Sequence, residues 1–412
     1  MLLRFSLYGF LKNQTYHDAF FVLALREKGL TFFQIGLLFG SREILSAILG
    51  VPAGLFADKN GKRNVLLLSF VAYIPAYLLL ASSRRFPVLC LAMICMACGE
   101  AFRSAPHKAL VFDWLRSQGR TGERIHVYAG IRAWFKAGSA VSVLIGMTLA
   151  LLLKSYSSIF YFSLLPVLLS IVNCAAYPPD SGSNQEIGAP AGLGRFALGG
   201  FRSILGNRPL SKILLDSVAF ESASDGAFHF VQPILAQAVA ASACLALAAS
   251  WRMSTAAIGT AYFCFHIAAI FLSRLSGPLN ARMGGEERSV RRLLVFSFAL
   301  FSASLACLYC KQAVFGAVCL IANALLQNLW RPPLLGRIDH HCGAQFGATV
   351  LSVEAFMKSA FGFILSPLLG FTVDHAGFWS LGAFGMLITG WRACSGHHFR
   401  YAQGVGGRRP EG

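Results

Sequence analysis

Gly54-Leu55-Phe56-Ala57-Asp58-Lys59-Asn60-Gly61-Lys62-Arg63 separates two long apolar runs, and the reading of this short basic stretch decides the fold. Upstream, residues 31–55 carry only Arg42 and Glu43 as charged side chains; downstream, residues 65–82 carry none. Two hydrophobic helices joined by a tight charged turn is the expected local structure, with glycines letting the helix ends approach closely. A degenerate copy, Gly277-Pro278-Leu279-Asn280-Ala281-Arg282-Met283-Gly284, follows 223 residues later. Its glycines and its basic residue hold equivalent places, but Ala281 replaces the acid.

The apolar pattern extends in both directions. Of 412 residues, 56% are hydrophobic and 13% charged, against about 25% charged in a soluble domain. Turn and charge signals place twelve spans near residues 6–25, 31–55, 65–82, 87–112, 127–151, 157–176, 211–237, 253–275, 293–310, 312–331, 348–371 and 377–395. Each is about 20 residues long, enough to cross the hydrocarbon core. The expected fold class is an all-α polytopic membrane protein with two pseudo-symmetric six-helix bundles, residues 1–176 and 210–396. A Pro/Gly/Ser-rich linker at 177–209 joins them, with a surface helix expected near Arg195 to Leu205, and a tail follows at 397–412.

The formal charge of +18 is distributed by topology. With the N-terminus inside, inside segments carry 22 Lys/Arg, outside loops 7 and spans 7. This positive-inside bias predicts a multi-pass protein of the plasma membrane with both termini cytoplasmic, and it removes the need for a nucleic-acid partner. The first helix is expected to be retained, since no small-residue cleavage site follows it. The eleven cysteines, Cys95 and Cys98 included, read as small core residues, so no metal or cofactor is expected.

The stretch Gly54 to Arg63 resembles the signature loop of the major facilitator superfamily, G-x-x-x-D-[RK]-x-G-[RK]-[RK] between helices two and three. Gly9-Phe-Leu-Lys12-Asn13-Gln14 and Phe102-Arg103-Ser-Ala-Pro-His107-Lys108 are also similar to a bacterial branch of it, which points to the bacterial inner membrane. The resemblance implies alternating access with a gate built from Gly54, Asp58, Lys59, Gly61, Lys62 and Arg63, the loop Arg63 meeting Asp113 at the inner end of span four. Span five has Gly138 and Gly146 but no Gly-Pro pair of the drug/proton antiporter kind, which weighs against drug efflux.

Ionisable residues inside a bilayer are costly and usually border a wet cavity. Helical spacing gathers Glu100, Arg103 and His107 on one face of span four, Glu221, Asp225 and His229 on one face of span seven, and Arg132 with Lys136 in span five. Glu354 and Lys358 of span eleven, like Arg42 and Glu43, read as local pairs. Span one adds Gln14 and Asp18. The expectation is a substrate site of Gln14, Arg103, His107, Arg132 and Lys136, with Asp18, Glu100, Glu221, Asp225 and His229 carrying the proton coupling. Six cations against four acids in the first half, and one against four in the second, predict a cavity basic on one wall and acidic on the other.

The expected function is secondary active transport of a small solute by a monomer, coupled to protons, not enzyme catalysis. A membrane sensor or assembly factor that binds a ligand without moving it is the alternative. Asp339-His340-His341-Cys342 matches an acyltransferase motif in letters only, in what reads as a loop without a Cys-rich zinc framework. There is no P-loop or catalytic triad pattern.

Overall fold

The computed structural model describes residues 1–103, 106–178, 206–242, 247–341 and 347–395. Most of the linker, the tail with His397-His398 and Arg408-Arg409, Cys342 and the side chain of Asp58 lie outside the described residues. The first half comprises α1 (Leu2–Lys12), α2 (Phe21–Glu27), α3 (Phe32–Asn60), α4 (Lys62–Ser82), α5 (Phe86–Arg103), α6 (Pro106–Ser117), α7 (Arg124–Leu153), α8 (Ile159–Phe162) and α9 (Leu164–Ala175). The second comprises α10 (Arg208–Phe228), α11 (Val231–Ser242), α12 (Leu247–Arg282), α13 (Glu286–Tyr309), α14 (Ala313–His341), α15 (Gly347–Ala376) and α16 (Trp379–Ser395). Eight stretches, from Phe32–Gly50 to Val350–Ala376, are helical, long and apolar enough to cross a membrane. The remaining helices, α1/α2, α8/α9, α10/α11 and α16, are consistent with the twelve-crossing layout.

Span one is broken where the sequence suggests a continuous helix. Asn13, Gln14 and Thr15 carry side chains that compete for backbone partners. Asn13 Nδ2 donates to the Phe135 carbonyl at 2.8 Å and Gln14 Nε2 to the Gly138 carbonyl at 3.0 Å, pinning the break to α7. Gly138 and Gly146 permit that contact: a Cβ at either would stand 2.5 Å from the Phe10 carbonyl oxygen or 2.2 Å from that of Tyr16. Span seven breaks at His229-Phe230, where Pro233 has no N–H to offer the His229 carbonyl.

Span ten departs from expectation the other way. It runs through Pro332-Pro333 to His341, so Asp339, His340 and His341 form a last helical turn, not a loop. The Leu329 carbonyl that Pro333 leaves free accepts instead from Ser276 Oγ at 3.4 Å, a side-chain substitution that membrane helices tolerate.

The repeat read from the sequence has a geometric counterpart. Gly61, between α3 and α4, has φ 86°, and Gly284, between α12 and α13, has φ 80°. Both turns need the left-handed region that glycine enters without a Cβ penalty.

Within the first half α1 packs on α7 and α9, and α4 on α5 and α9; within the second α10 packs on α14, α15 and α16, and α13 on α14 and α16. The halves meet along α3 with α15 and along α7 with α12.

Candidate functional site

Among the described residues, the glycines of α3 and α12 place the close contact between halves at one end of the bundle. Gly36 and Gly40 of α3 are so close to α15 that a Cβ would lie 2.2 Å from the Ser366 carbonyl oxygen and 3.0 Å from Phe363, whereas Gly50 and Gly54, farther along the same helix, face open space. Gly259 of α12 meets Met147 of α7, while Gly277 and Gly130 meet nothing within 4 Å. The molecule is therefore closed at the end bearing residues 28–32 and 374–378, and open between the halves at the end bearing the Gly61 and Gly284 turns.

Polar groups seal the closed end across the halves. Asp374 accepts from the backbone N–H of Phe32 at 3.1 Å and of Phe33 at 2.8 Å. Gln232 accepts from the Val22 N–H at 2.9 Å and donates to the Asp18 carbonyl at 2.8 Å. Tyr156 and Thr255 hydroxyls are 3.0 Å apart.

Facing the cleft, the second half holds a four-residue ion network. Arg331 grips Glu354 with two nitrogens, at 2.5 and 3.1 Å, and reaches Glu221 at 3.1 Å. Lys358 lies 2.6 Å from Glu221 and 3.4 Å from Glu354, and Ser217 Oγ donates to Glu354 at 2.5 Å. Glu354 is fully buried, so its charge requires these partners. Asp216 is held between Arg392 at 2.5 Å and Arg337 at 3.5 Å. The expected acidic wall is thus largely neutralised, because Arg331, Arg337 and Arg392 join Lys358. Among these acids Asp225 makes no ion pair with any described residue: it is exposed and accepts from Gln327 Nε2 at 2.7 Å.

In the first half Arg42 reaches across to Glu100 at 3.7 Å, rather than pairing with its neighbour Glu43. Arg103 lies over the Tyr73 ring, 4.9 Å from its centroid, and no acid stands within ion-pair distance of it among the described residues. Arg132 is exposed and Lys136 half-buried on α7. Asp18 is exposed, 3.5 Å from His17, and its carboxylate also accepts from the Thr15 hydroxyl.

Two expected site residues belong elsewhere. His107 stacks on Tyr8 at 3.7 Å and 10° and is 5% exposed, a core ring inside the first half and not a cavity ligand. His229 packs on Phe39 of α3, 4.7 Å between centroids, and so belongs to the contact between halves.

At the Gly61 turn, Asp113 takes Lys62 at 2.5 Å, with Arg116 at 3.9 Å, in place of the expected Arg63. Arg63, one position around α4, donates to the Ala175 carbonyl at the end of α9, where helix carbonyls lack internal partners. Both partners of the Lys62–Asp113 bridge lie in one half. The second half has the same bridge with charges exchanged: Glu287 at the start of α13 meets Arg337 of α14 at 2.7 Å. Ala281 therefore does not leave that turn without an ion pair. Lys59 is exposed.

The family profile described as Major Facilitator Superfamily matches residues 13–367. The chain belongs to that superfamily. Comparison with curated protein sequences finds no match. Among solved structures, a mutant of the nucleoside transporter NupG superposes on this superfamily member with a TM-score of 0.80 at 12% identity, covering 96% of this chain and 99% of that one. A peptide transporter, POT, in complex with sulfate gives 0.68 at 14% identity over 96% and 94%. A D-xylose–proton symporter gives 0.62 at 12% identity over 95% and 96%. At these identities the likeness is one of fold. The chain is a multi-pass transporter of the superfamily, and the cleft between its halves is the path its fold provides.

Proposed function

We propose that this transporter moves a small solute through the cleft as a proton-coupled secondary carrier, with Asp225 as the proton site. The single observation that carries this reading is the isolation of Asp225. It faces the cleft with no ion pair among the described residues, while its helical neighbour Glu221 is engaged by Arg331 and Lys358. A carboxyl in that position changes charge on protonation without leaving a partner cation stranded, which is what a carrier needs to re-set between states. Fold likeness to a sugar–proton symporter supports the same direction.

With the termini cytoplasmic, as the Lys/Arg distribution supports, the conformation described is open inward. The bacterial inner membrane, a monomeric state and the absence of enzyme activity complete the proposal. Lys62, Asp113 and the Gly61 turn then act as a brace inside the first half that keeps it rigid while the halves rock.

The test is a proteoliposome assay with the pH dye pyranine trapped inside. Addition of mixed nucleosides, pentoses, dipeptides or short carboxylates should acidify or alkalinise the lumen with wild-type protein. The response should vanish in Asp225→Asn, while exchange of labelled solute across both faces persists. Solute binding with no flux of any kind would establish the sensor reading instead.

A further inference from the structure

Two acids from opposite halves stand one helical turn inward of a contact that closes the molecule. His229 of the second half packs on Phe39 of the first, 4.7 Å between ring centroids. Asp225 precedes His229 by one turn, since the His229 N–H donates to the Asp225 carbonyl at 3.4 Å. Glu43 follows Phe39 by one turn of α3. α3 runs away from the closed end and α10 runs towards it, so both steps lead the same way, about 6 Å towards the open end. Residues four apart keep one helix face, which sets Asp225 opposite Glu43 at the apex of the cleft. The two are within Coulombic reach of each other.

Neither carboxylate is neutralised by a described residue. Arg42, the chain neighbour of Glu43, reaches Glu100 instead, at 3.7 Å. From α15, Glu43 meets bare backbone: a Cβ on Gly362 would collide with its Oε2, and the N–H groups of that helix are bonded internally. Asp225 has the Gln327 amide and no ion pair. The charged groups on the surrounding helices are committed elsewhere. Lys358 and Glu354 of α15 and Arg331 of α14 join Glu221 in one network, and Arg392 of α16 holds Asp216. On the first-half side Arg103 of α5 lies over Tyr73 of α4. His229 is the other titratable group on the Asp225 face, and it is packed against Phe39.

The halves part at the open end and must meet there when access passes to the other side. That movement carries α3 towards α10 where the two acids stand. Like charges brought together in a water-poor place oppose it, whereas one proton between them removes the repulsion and leaves a charge-assisted O–H···O⁻ hydrogen bond.

We infer that Glu43 is the partner of Asp225 in a proton-sharing carboxyl pair, and that the cleft closes only when this pair holds a proton. Resting on Asp225 as the proton site, this names its partner and the step that the proton permits. The proton passes from water in the open cleft to a carboxylate oxygen as the cleft narrows, and returns to water when the cleft opens on the other side. One O–H bond forms and breaks, and no other bond changes.

The experiment is double electron–electron resonance on the full chain in nanodiscs, with neither solute nor gradient. Spin labels on unnatural side chains at Asn60 and Met283, beside the two glycine turns, report the width of the open end. In wild type the ratio of closed to open molecules should rise at least about tenfold from pH 8 to pH 5, because a proton held more tightly in the closed form draws the equilibrium that way as pH falls. Glu43→Gln should show at pH 8 the ratio that wild type shows at pH 5, and then vary less than about twofold with pH. Asp225→Asn should do the same. The double variant should add nothing, since one neutralisation already removes the repulsion. Glu123→Gln, in the exposed Arg120 pair away from the cleft, should keep the wild-type response.

A wild-type ratio that does not move with pH, a wild-type response in Glu43→Gln, or single-variant effects that sum in the double would each overturn the inference. The wild-type titration needs no variant, so the first of these holds if Glu43→Gln fails to fold. Loss of the response in Asp225→Asn alone would overturn this pairing and leave the coupling proposal standing. A pH response that needs both acids, with no proton flux in the pyranine assay, would sink the coupling proposal and leave the pair as a control on closure.

Discussion

Asp374 caps a helix that belongs to the other half of the molecule: its carboxylate Oδ2 accepts from the Phe33 backbone N–H at 2.8 Å. The companion oxygen takes the Phe32 N–H, so two donors of the first turn of α3 are satisfied from α15. The helix has its own capping box as well, Thr31 with Gln34, which frees Asp374 to act purely as a tie between halves. An acid at a helix N-terminus also gains from the helix dipole. When the closed end parts, both gains are lost together.

Asp374→Ala should loosen that end. Loss of a cap costs about 1 kcal/mol, which corresponds to roughly fivefold faster local opening. Hydrogen–deuterium exchange of amides 32–36 should accelerate by that factor while amides in the middle of α4 stay unchanged. Unchanged exchange at 32–36 would show that the tie carries no energy.

Glycine position along α3 gives a paired prediction. Gly36→Val places a side chain against the Ser366 backbone, where even a Cβ would be 2.2 Å from the carbonyl oxygen. The halves must separate there, and exchange should rise in both residues 31–40 and residues 366–376. Gly50→Ala meets nothing within 4 Å and should leave the thermal midpoint unchanged or raise it slightly, by up to about 1 kcal/mol of helix propensity.

The Arg331–Glu354 pair should behave as a buried bridge. Arg331→Ala leaves Glu354 buried with only Lys358 and Ser217, and a loss of about 3–5 kcal/mol is expected for such a break. Thermal unfolding in detergent measures it. Arg331→Met combined with Glu354→Leu should recover most of the loss, because the second change removes the stranded charge. A double variant as unstable as the single would refute a charge origin.

Exchanging the partners of the Lys62–Asp113 bridge reproduces the polarity that Glu287 and Arg337 already have. Lys62→Asp alone should lower stability by about 0.5–1 kcal/mol, since both side chains are partly exposed. Lys62→Asp with Asp113→Lys should restore it.

Much of this architecture is legible in the residues themselves. The turn at Gly61 and its copy at Gly284 could be aligned by eye, because a tight helix connection leaves few residue types to choose from. The spans followed from hydropathy, except where polar side chains bonded to the backbone, as at Asn13 and Gln14, or where Ser276 rescued a proline-freed carbonyl in α14. Those are tertiary bonds with no local signature.

The candidate site was harder to read. Spacing puts Glu221 and Asp225 on one face, but Arg331 stands at the boundary of the apolar run 312–331, so hydropathy does not bring this cation to Glu221. The helix continues through the two prolines after Arg331 to His341. His107 shows the same limit, since its stacking on Tyr8 is a tertiary contact that spacing along one helix does not reveal. Glu43, by contrast, is visible as an intramembrane acid, but nothing in one sequence sets it opposite Asp225 and not beside Arg42.

The spacing of glycines in α3 turns this helix into a lever arm. Its short end, at Gly36 and Gly40, is pressed against α15, and past Gly50 it stays with its own half, Phe56 meeting Phe102 of α5. At 1.5 Å per residue the distance from Gly36 to Gly50 is about 21 Å, so a tilt of about 10° at the fulcrum becomes nearly 4 Å of travel at the far tip. Displacements too small to disturb the packing at the tight end are thereby amplified into an aperture wide enough for a solute.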